Sequence, residues 1–152
     1  MVQYLHYHAW DIVRDRISRA GNQSDPFDKI ARKDAFDTEI IGATIWGITK
    51  HDGEWYFTGK LIPTWVGKKS DIPEGVSPVK IQGKENYATC PSADAVCEHG
   101  LYGPLGGLGS IPMPSFEGKT LDEVAKNSMR LRGFFHPIDT PIDFDDWEPV
   151  PL

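Results

Sequence analysis

An Asp-Gly pair between two strand-like segments places the strongest constraint on the fold. Residues 43–50 and 55–62 are rich in Ile, Thr and aromatic side chains, which favour strands. Asp52-Gly53 between them is typical of a two-residue type I′ turn, because both central residues of that turn need positive φ. The sequence therefore predicts a β-hairpin in which His51 faces Glu54.

This register assigns the side chains of the hairpin to two faces, since side chains alternate along a strand. The predicted cross-strand pairs are Ile48 with Phe57, Trp46 with Gly59 and Thr44 with Leu61. The apolar face, which we expect in the core, carries Trp46, Ile48, Phe57 and Leu61. The mixed face, which we expect to be partly exposed, carries Ile45, Gly47, Thr49, Tyr56, Thr58 and Lys60. We interpret Trp46 as a structural residue whose indole covers Gly59.

The composition indicates one globular domain, residues 1–152. The chain has 39% hydrophobic and 25% charged residues, and its 15 Gly and 12 Pro favour a loop-rich β or α+β fold over a helical bundle. No apolar run approaches the roughly 20 residues that span a bilayer, and the N-terminus has no secretory signal pattern. With only two Cys, we expect a cytoplasmic protein that does not enter the membrane.

The charge is negative overall and uneven. The net charge is −6, and residues 1–70 hold 10 Lys and Arg against 9 Asp and Glu, whereas residues 71–152 hold 6 against 13. Non-specific duplex binding depends on many phosphate contacts, and this acidic balance argues against it. A pocket that binds one nucleotide or a small ligand remains compatible with the charge.

The other elements are predicted from periodicity and from turn residues. Strands are expected at 2–8, 79–82, 85–89 and 131–135, helices at 10–20, 26–35 and 119–132, and one or two helical turns at 92–99. Thr120 and Glu123 form a capping box for the last helix. The Gly- and Pro-rich segment 100–113 reads as a surface loop, and 137–152 as an acidic, Pro-rich tail pinned by Phe144 and Trp147.

No motif in the sequence specifies a reaction. Cys90, Cys97 and His99 are close in sequence, but their spacing matches no common zinc motif, so reduced, partly buried cysteines are the preferred interpretation and metal binding stays open. The glycine-rich run 103–109 lacks the Gly-Lys-Ser/Thr end of a phosphate-binding loop. We expect no cofactor and find no acid–base dyad, so enzymatic activity is not predicted.

Aromatic residues are the best candidates for ligand contact. The apolar periodicities do not account for Tyr4, Trp10, Tyr56, Trp65 and Tyr102. Flat side chains with polar groups stack on bases, at about 1–3 kcal/mol per base. The competing interpretation is that these rings complete the core.

The order of segments resembles the PUA-like superfamily, in particular its EVE-type members. The residues that carry the resemblance are 4–8, 41–46, 54–62 and 119–135, with helical segments predicted between the first two. The resemblance implies an α+β fold, a small bent β-barrel of mostly antiparallel strands with two or three flanking helices. It also implies a module that binds RNA or a modified base in an aromatic pocket. The catalytic Lys/Thr/Glu set of the ASCH relatives has no counterpart here.

The predicted function is therefore nucleic-acid or modified-nucleotide binding. Trp10 and Trp65 are expected to stack on the ligand. Tyr4, His8 and Tyr56 are expected to supply polar groups that contact the ligand. Arg14, Lys68 and Lys69 are expected to contact its phosphates. Two alternatives stay open. One is a small nucleotide-acting enzyme with His6, His8 or His99 as the base. The other is an interaction or inhibitor protein whose acidic tail docks on a basic protein partner.

Overall fold

The computed structural model describes residues 3–21, 23–78, 83–125, 135–138 and 149–150. The strands within these residues are β1 (Gln3–Tyr7), β2 (Lys29–Arg32), β3 (Thr44–His51), β4 (Glu54–Leu61), β5 (Trp65–Lys68), β6 (Asn86–Thr89), β7 (Pro112–Met113), β8 (Lys119–Thr120) and β9 (Phe135–Ile138). The α-helices are α1 (Trp10–Ala20) and α2 (Leu121–Ala125). Short 3-10 turns lie at Thr38–Ile40, Lys69–Asp71, Ser92–Asp94, Leu108–Ser110 and Pro114–Phe116.

The strands form three separate sheets. The largest has the order β4-β3-β1-β9, in which β1 runs parallel to β3 and antiparallel to β9. The second has the order β2-β6-β5 and the third pairs β7 with β8, all antiparallel. The predicted α+β class with mostly antiparallel strands is confirmed. The predicted small bent β-barrel is not seen in the described part of the chain, where no sheet closes on itself.

The hairpin of β3 and β4 forms as predicted near its turn. Asp52 and Gly53 both have positive φ, 50° and 77°, as a type I′ turn requires. His51 pairs with Glu54, and Ile48 pairs with Phe57. The turn chemistry therefore sets the register over the first half of the hairpin.

A β-bulge at Thr58 changes the second half of the hairpin. The register shifts between Ile48 and Gly47, so that Thr58 is the extra residue on β4. The pairs beyond it are Gly47 with Gly59, Trp46 with Lys60 and Ile45 with Leu61. The predicted pairs of Trp46 with Gly59 and Thr44 with Leu61 are therefore wrong. The ring over Gly59 belongs to Phe27, whose Cδ2 lies 2.3 Å from the position a Cβ at Gly59 would take.

Two hydrophobic cores pack on the two faces of the large sheet. The first contains Trp46, Ile48 and Phe57, together with Leu5 and Tyr102. The second lies on the opposite face, and its buried members are Phe27, Ile30, Phe36, Ile40, Ile45, Leu61, Ala88 and Cys90. The mixed face of the hairpin is thus largely buried, with Ile45, Thr49 and Thr58 all 0% exposed, and the expectation of a partly exposed face is wrong.

The N-terminal strand and helix confirm the sequence pattern. β1 places Leu5 in the first core and Tyr4 against the second, as strict alternation predicts. Helix α1 begins at Trp10 and ends before Gly21, whose positive φ of 58° and N–H bond to the Ile17 carbonyl close its last turn. It packs on β3. No helix in the described ranges is long and apolar enough to cross a membrane.

The predicted helix at 26–35 is wrong, because this segment contains strand β2. A helix would bury only one side of the segment, yet the consecutive residues Phe27, Asp28, Lys29 and Ile30 are all buried. The Asp28 carboxylate accepts hydrogen bonds from the Lys29 ammonium (2.9 Å) and from the Ser92 hydroxyl (2.6 Å). This buried polar anchor, together with pairing to β6, holds the segment extended.

The later elements agree with prediction where they are described. β6 lies within the predicted strand at 85–89, and Glu123 N–H bonds to Thr120 Oγ1 at 3.3 Å, which confirms the capping box. The segment 100–113 is not a surface loop, since Tyr102, Leu108 and Met113 are buried in the first core. The predictions for 79–82, 126–134 and most of the tail, including Phe144 and Trp147, lie outside the described residues.

Candidate functional site

An aromatic cleft forms where the start of α1 meets the turn end of the hairpin. Trp10 is the first residue of α1, and Arg14 follows one turn later. His51 ends β3, and Tyr56 lies near the start of β4. The cleft measures about 430 Å³. Its lining residues are Trp10, Arg14, His51, Asp52, Tyr56, Leu101 and Val150.

Two rings of the cleft stack on each other. The Trp10 and His51 rings have centroids 3.9 Å apart and planes at 23°. The Tyr56 ring lies 6.4 Å from His51 and is tilted by 45°, which is the spacing of ordinary aromatic contacts. Trp10 and Tyr56 are both only partly buried. The flat surface left for a ligand is therefore on the outer faces of these rings, because the facing sides of Trp10 and His51 are already in contact.

The charged groups of the cleft are weakly held. The Arg14 guanidinium lies 3.3 Å from the Asp15 carboxylate, and both side chains are more than half exposed. His51 Nε2 lies 3.3 Å from Asp52 Oδ2, and the Asp52 side chain is 86% exposed. Exposed ion pairs contribute about 0–1 kcal/mol, so Arg14 is free to turn toward an anionic ligand at little cost.

A layer of polar residues lies between the cleft and the second core. His6 Nδ1 is 3.2 Å from His8 Nε2, and the rings of His8 and His99 are 6.1 Å apart. Phe27 stacks on His99, with centroids 5.3 Å apart. We call the residues His6, His8, Thr49, Thr58 and His99 the polar layer. By alternation with Tyr4 and Ile45, the side chains of His6, His8 and Thr49 lie on the face of the large sheet that packs against the second core.

The histidines of the polar layer are neutral at pH 7. Burial, followed by the nearby positive charge of Arg16, lowers the pKa of His8 to about 4. Burial also lowers the pKa of His6 and of His99 well below the ordinary value. In the described part of the chain, no group of His, Cys, Asp or Glu has an arrangement suited to a metal ion.

Three buried polar atoms of this layer have no hydrogen-bond partner among the described residues: Thr49 Oγ1, Thr58 Oγ1 and His99 Nδ1. Buried polar groups are nearly always paired in native proteins, because an unpaired one costs the free energy of removing it from water. Of the three residues, Thr49 lies on β3, two residues before His51, which lines the cleft.

The cysteines near His99 behave as buried thiols. Cys90 and Cys97 are not joined in a disulfide. Burial is the main cause that raises the pKa of Cys90 to about 11, and it also raises the pKa of Cys97. The Cys97 sulfur accepts a hydrogen bond from the Lys60 N–H at 3.2 Å. Neither thiol has the lowered pKa that a reactive cysteine or a metal ligand needs.

The structure brings together three of the eight predicted site residues, Trp10, Arg14 and Tyr56. Tyr4 packs against the second core, and His8 belongs to the polar layer. The other three residues lie on or directly after β5, in the three-stranded sheet: Trp65, Lys68 and Lys69. Trp65 begins β5 and pairs with Thr89.

The two tryptophans of the β3–β4 hairpin are structural. Trp46 is 3% exposed and its indole N–H bonds to Gln3. Trp55 is 4% exposed and donates to Asp122 Oδ1 at 2.8 Å. Burial of the ring with its N–H satisfied is the usual arrangement for a core tryptophan. Neither indole is free to contact a ligand.

Sequence reasoning missed His51, Asp52 and Leu101 as cleft residues. The sequence explains Asp52 by turn chemistry, gives His51 only a place in the hairpin register, and puts Leu101 in a predicted surface loop. The signal that existed was positional: the predicted register put His51 and Tyr56 on one face of the hairpin. Only the packing of α1 on that face adds Trp10 and makes a cleft.

No family model, curated protein or solved structure matches this chain. The geometry of the cleft and of the polar layer behind it is therefore what indicates a function.

Proposed function

We propose that the chain is a binding module that holds one nucleobase, natural or modified, of a nucleotide or single-stranded nucleic acid in the aromatic cleft. The observation that carries the proposal is the stacked Trp10–His51 pair beside Tyr56 in a cleft of about 430 Å³. Such a cleft fits a flat heteroaromatic ring, which stacks on the outer face of an aromatic side chain.

The energetics of the cleft suit a single base. Stacking on an aromatic side chain is worth about 1–3 kcal/mol per base, and Arg14 supplies a planar guanidinium that pairs with phosphate oxygens. Arg14 is the one cationic side chain that lines the described cleft. The net charge of −6 disfavours a long phosphate track, so we expect recognition of one nucleotide with modest salt dependence.

The resemblance to EVE-type PUA-like domains agrees with this proposal in part. The first strand, the helix after it and the β3–β4 hairpin follow the order on which the resemblance rests. The second helical segment is replaced by strand β2, and the described sheets do not close. We therefore retain the family as a proposal and take the ligand class from the cleft.

Binding to labelled oligonucleotides tests the proposal. Fluorescence anisotropy at low salt, with single-stranded DNA and RNA carrying cytosine or 5-methylcytosine, measures Kd for the wild type and for Trp10→Ala. Loss of one stacking surface should weaken binding about tenfold or more. Trp65→Ala is the matched control, because Trp65 is also partly exposed but lies in the other sheet.

Two outcomes overturn the cleft as the site. The first is no measurable binding of any probe by a folded wild type. The second is weaker binding by Trp65→Ala while Trp10→Ala binds as tightly as the wild type, which would place the site on β5 with Lys68 and Lys69. Circular dichroism of each variant confirms that a lost signal is not lost folding.

The alternative of a nucleotide-acting enzyme has one observation in its favour. The three candidate bases His6, His8 and His99 lie in one polar layer. However, a general base works best with a pKa near the working pH, and burial lowers all three pKa values. Turnover of nucleoside phosphates by the wild type, lost in His8→Ala, would favour the enzyme over the binding module.

A further inference from the structure

We propose that Thr49, Thr58 and His99 form an inner polar subsite that reads the hydrogen-bonding edge of the base held in the cleft. This inference rests on the proposed function and goes further, because it assigns selectivity among bases to named side chains. Trp10, His51 and Tyr56 would supply affinity for any flat ring. The subsite would make the module choose between rings that differ in their polar groups.

The three polar atoms of the subsite are buried and have no hydrogen-bond partner among the described residues. Thr49 and Thr58 are 0% exposed and His99 is 9% exposed. Their atoms Oγ1, Oγ1 and Nδ1 lack partners among the residues that the structure describes. Val has the shape of Thr without the hydroxyl, so an unpaired buried hydroxyl costs free energy in the ligand-free fold. A ligand that forms hydrogen bonds with these atoms offsets that cost.

Strand β3 connects the subsite to the cleft, because it carries both Thr49 and His51. Gly47, Thr49 and His51 lie on one face of β3, because every second side chain points the same way at a spacing of about 7 Å. His51 lines the cleft, so Thr49 is the next side chain inward. Thr49 also pairs across the hairpin with Tyr56, a partly buried cleft residue. Thr49 is therefore a neighbour of two cleft residues, along β3 and across the hairpin.

The side chains of Thr58, Phe27 and His8 approach one another at Gly47. A Cβ at Gly47 would lie 2.3 Å from Thr58 Oγ1, 3.1 Å from Phe27 Cζ and 3.4 Å from His8 Cδ2. Phe27 in turn stacks on His99, and Gly100 N–H bonds to the Thr58 carbonyl at 3.0 Å. The absence of a side chain at Gly47 thus leaves room for the Thr58 hydroxyl beside Phe27, whose ring also stacks on His99.

The chemistry of the subsite matches a base edge. A threonine hydroxyl both donates and accepts a hydrogen bond, and a neutral imidazole nitrogen does one or the other. Purine and pyrimidine edges carry donors and acceptors in patterns that differ from base to base. A site that leaves polar atoms unpaired with the wrong ligand rejects that ligand strongly. The subsite would therefore discriminate among bases without any further charge.

The test compares the wild type with Thr49→Val, Thr58→Val and the double variant. Thr44→Val is the matched control, since Thr44 lies on the same strand but faces the other side and is only partly buried. Isothermal titration calorimetry measures Kd for AMP, GMP, CMP and UMP, with ribose 5-phosphate as the base-free probe. Thermal unfolding of the ligand-free proteins gives the Tm of each variant.

The expected result has two independent parts. The wild type prefers one nucleotide, and each Val substitution reduces that preference by about three- to tenfold, the value of one lost hydrogen bond, with little change for the other three. In the absence of ligand, Thr49→Val and Thr58→Val match or exceed the Tm of the wild type, because an unpaired buried hydroxyl is removed. Thr44→Val changes neither quantity.

Three outcomes overturn the inference. Equal affinity for all four nucleotides in the wild type removes the subsite but leaves the cleft as a base-binding site. Unchanged selectivity together with a lower Tm in the Val variants shows that the hydroxyls serve the fold, by holding an internal water. Absence of binding to every nucleotide removes both the proposed function and the inference.

Discussion

At the scale of single residues, Asp28 is the most deeply buried charge in the described structure. Its side chain is 0% exposed and it bonds to Lys29, Ser92 and Ser77. Burial alone raises the pKa of Asp28, but the hydrogen bonds from Ser92, from Ser77 and from Lys29 together outweigh burial and lower it. The network ties strand β2 to two loops that come much later in the chain.

Asp28→Asn should destabilise the protein by about 3 kcal/mol, because it leaves the Lys29 ammonium buried without its counter-ion. Since the folded state holds Asp28 at a lowered pKa, its contribution is fully present above the unfolded-state pKa of about 4 and is lost as the pH falls below it. Urea unfolding at pH 7 and pH 3 measures both effects. Asp15→Asn, at an exposed site, should change little, and an equal loss in both variants would contradict the role given to Asp28.

Gly59 is a second residue with a specific steric role. A Cβ there would lie 2.3 Å from the Phe27 ring, so Gly59→Ala should destabilise the protein by about 1–3 kcal/mol through overpacking. Gly106→Ala is the control, because nothing lies within 4 Å of the added methyl group. Phe27→Leu combined with Gly59→Ala should recover part of the loss. A double-mutant cycle with no coupling energy would contradict the contact.

At the scale of elements, the polar layer couples the stability of β1 and β3 to pH. His6, His8 and His99 are held neutral by burial and by the positive charges of Arg16, Arg32 and Lys29. Their folded-state pKa values lie below the unfolded value of about 6.5. The unfolded chain therefore binds more protons in the acid range, and folding stability falls with decreasing pH.

The free energy of unfolding should be constant between pH 7.5 and 6.5 and should decline between pH 6.5 and about 4, before the contribution of Asp28 begins to be lost. His8→Gln should make this decline shallower, since it removes one group that takes up a proton on unfolding. Urea titrations at pH 7.5, 6, 5 and 4 measure the slope. His51→Gln, at the partly exposed cleft, is the control, and an identical slope in wild type and His8→Gln would contradict the argument.

At the scale of the whole molecule, local signals in the sequence were sufficient for some elements only. The Asp52-Gly53 turn, helix α1 and the capping box at Thr120 follow from neighbouring residues, and all three are observed. The bulge at Thr58 and the strand β2 depend on Phe27 and Asp28 meeting distant partners. Neither event has a local signature, so the predicted register and the predicted helix at 26–35 fail at those places.

The candidate site shows the same division. Trp10, Arg14 and Tyr56 stand out as residues that the apolar periodicity does not require, and they line one cleft. Trp65, Lys68 and Lys69 stand out equally, yet they lie in another sheet. What separates the two groups is the packing of α1 on β3, a long-range contact between elements. His51 enters the cleft by the same contact.

The position of β1 inside the large sheet has a consequence for synthesis on the ribosome. Gln3 pairs on one side with Thr44 and on the other with Ile138. Translation proceeds at about 5–20 residues per second. Strand β9, the second neighbour of β1, is therefore synthesised several seconds after β3 and β4. During that interval β1 is an open edge, able to pair with another nascent chain. We expect synthesis to be the stage at which this protein is most exposed to aggregation and most dependent on chaperones.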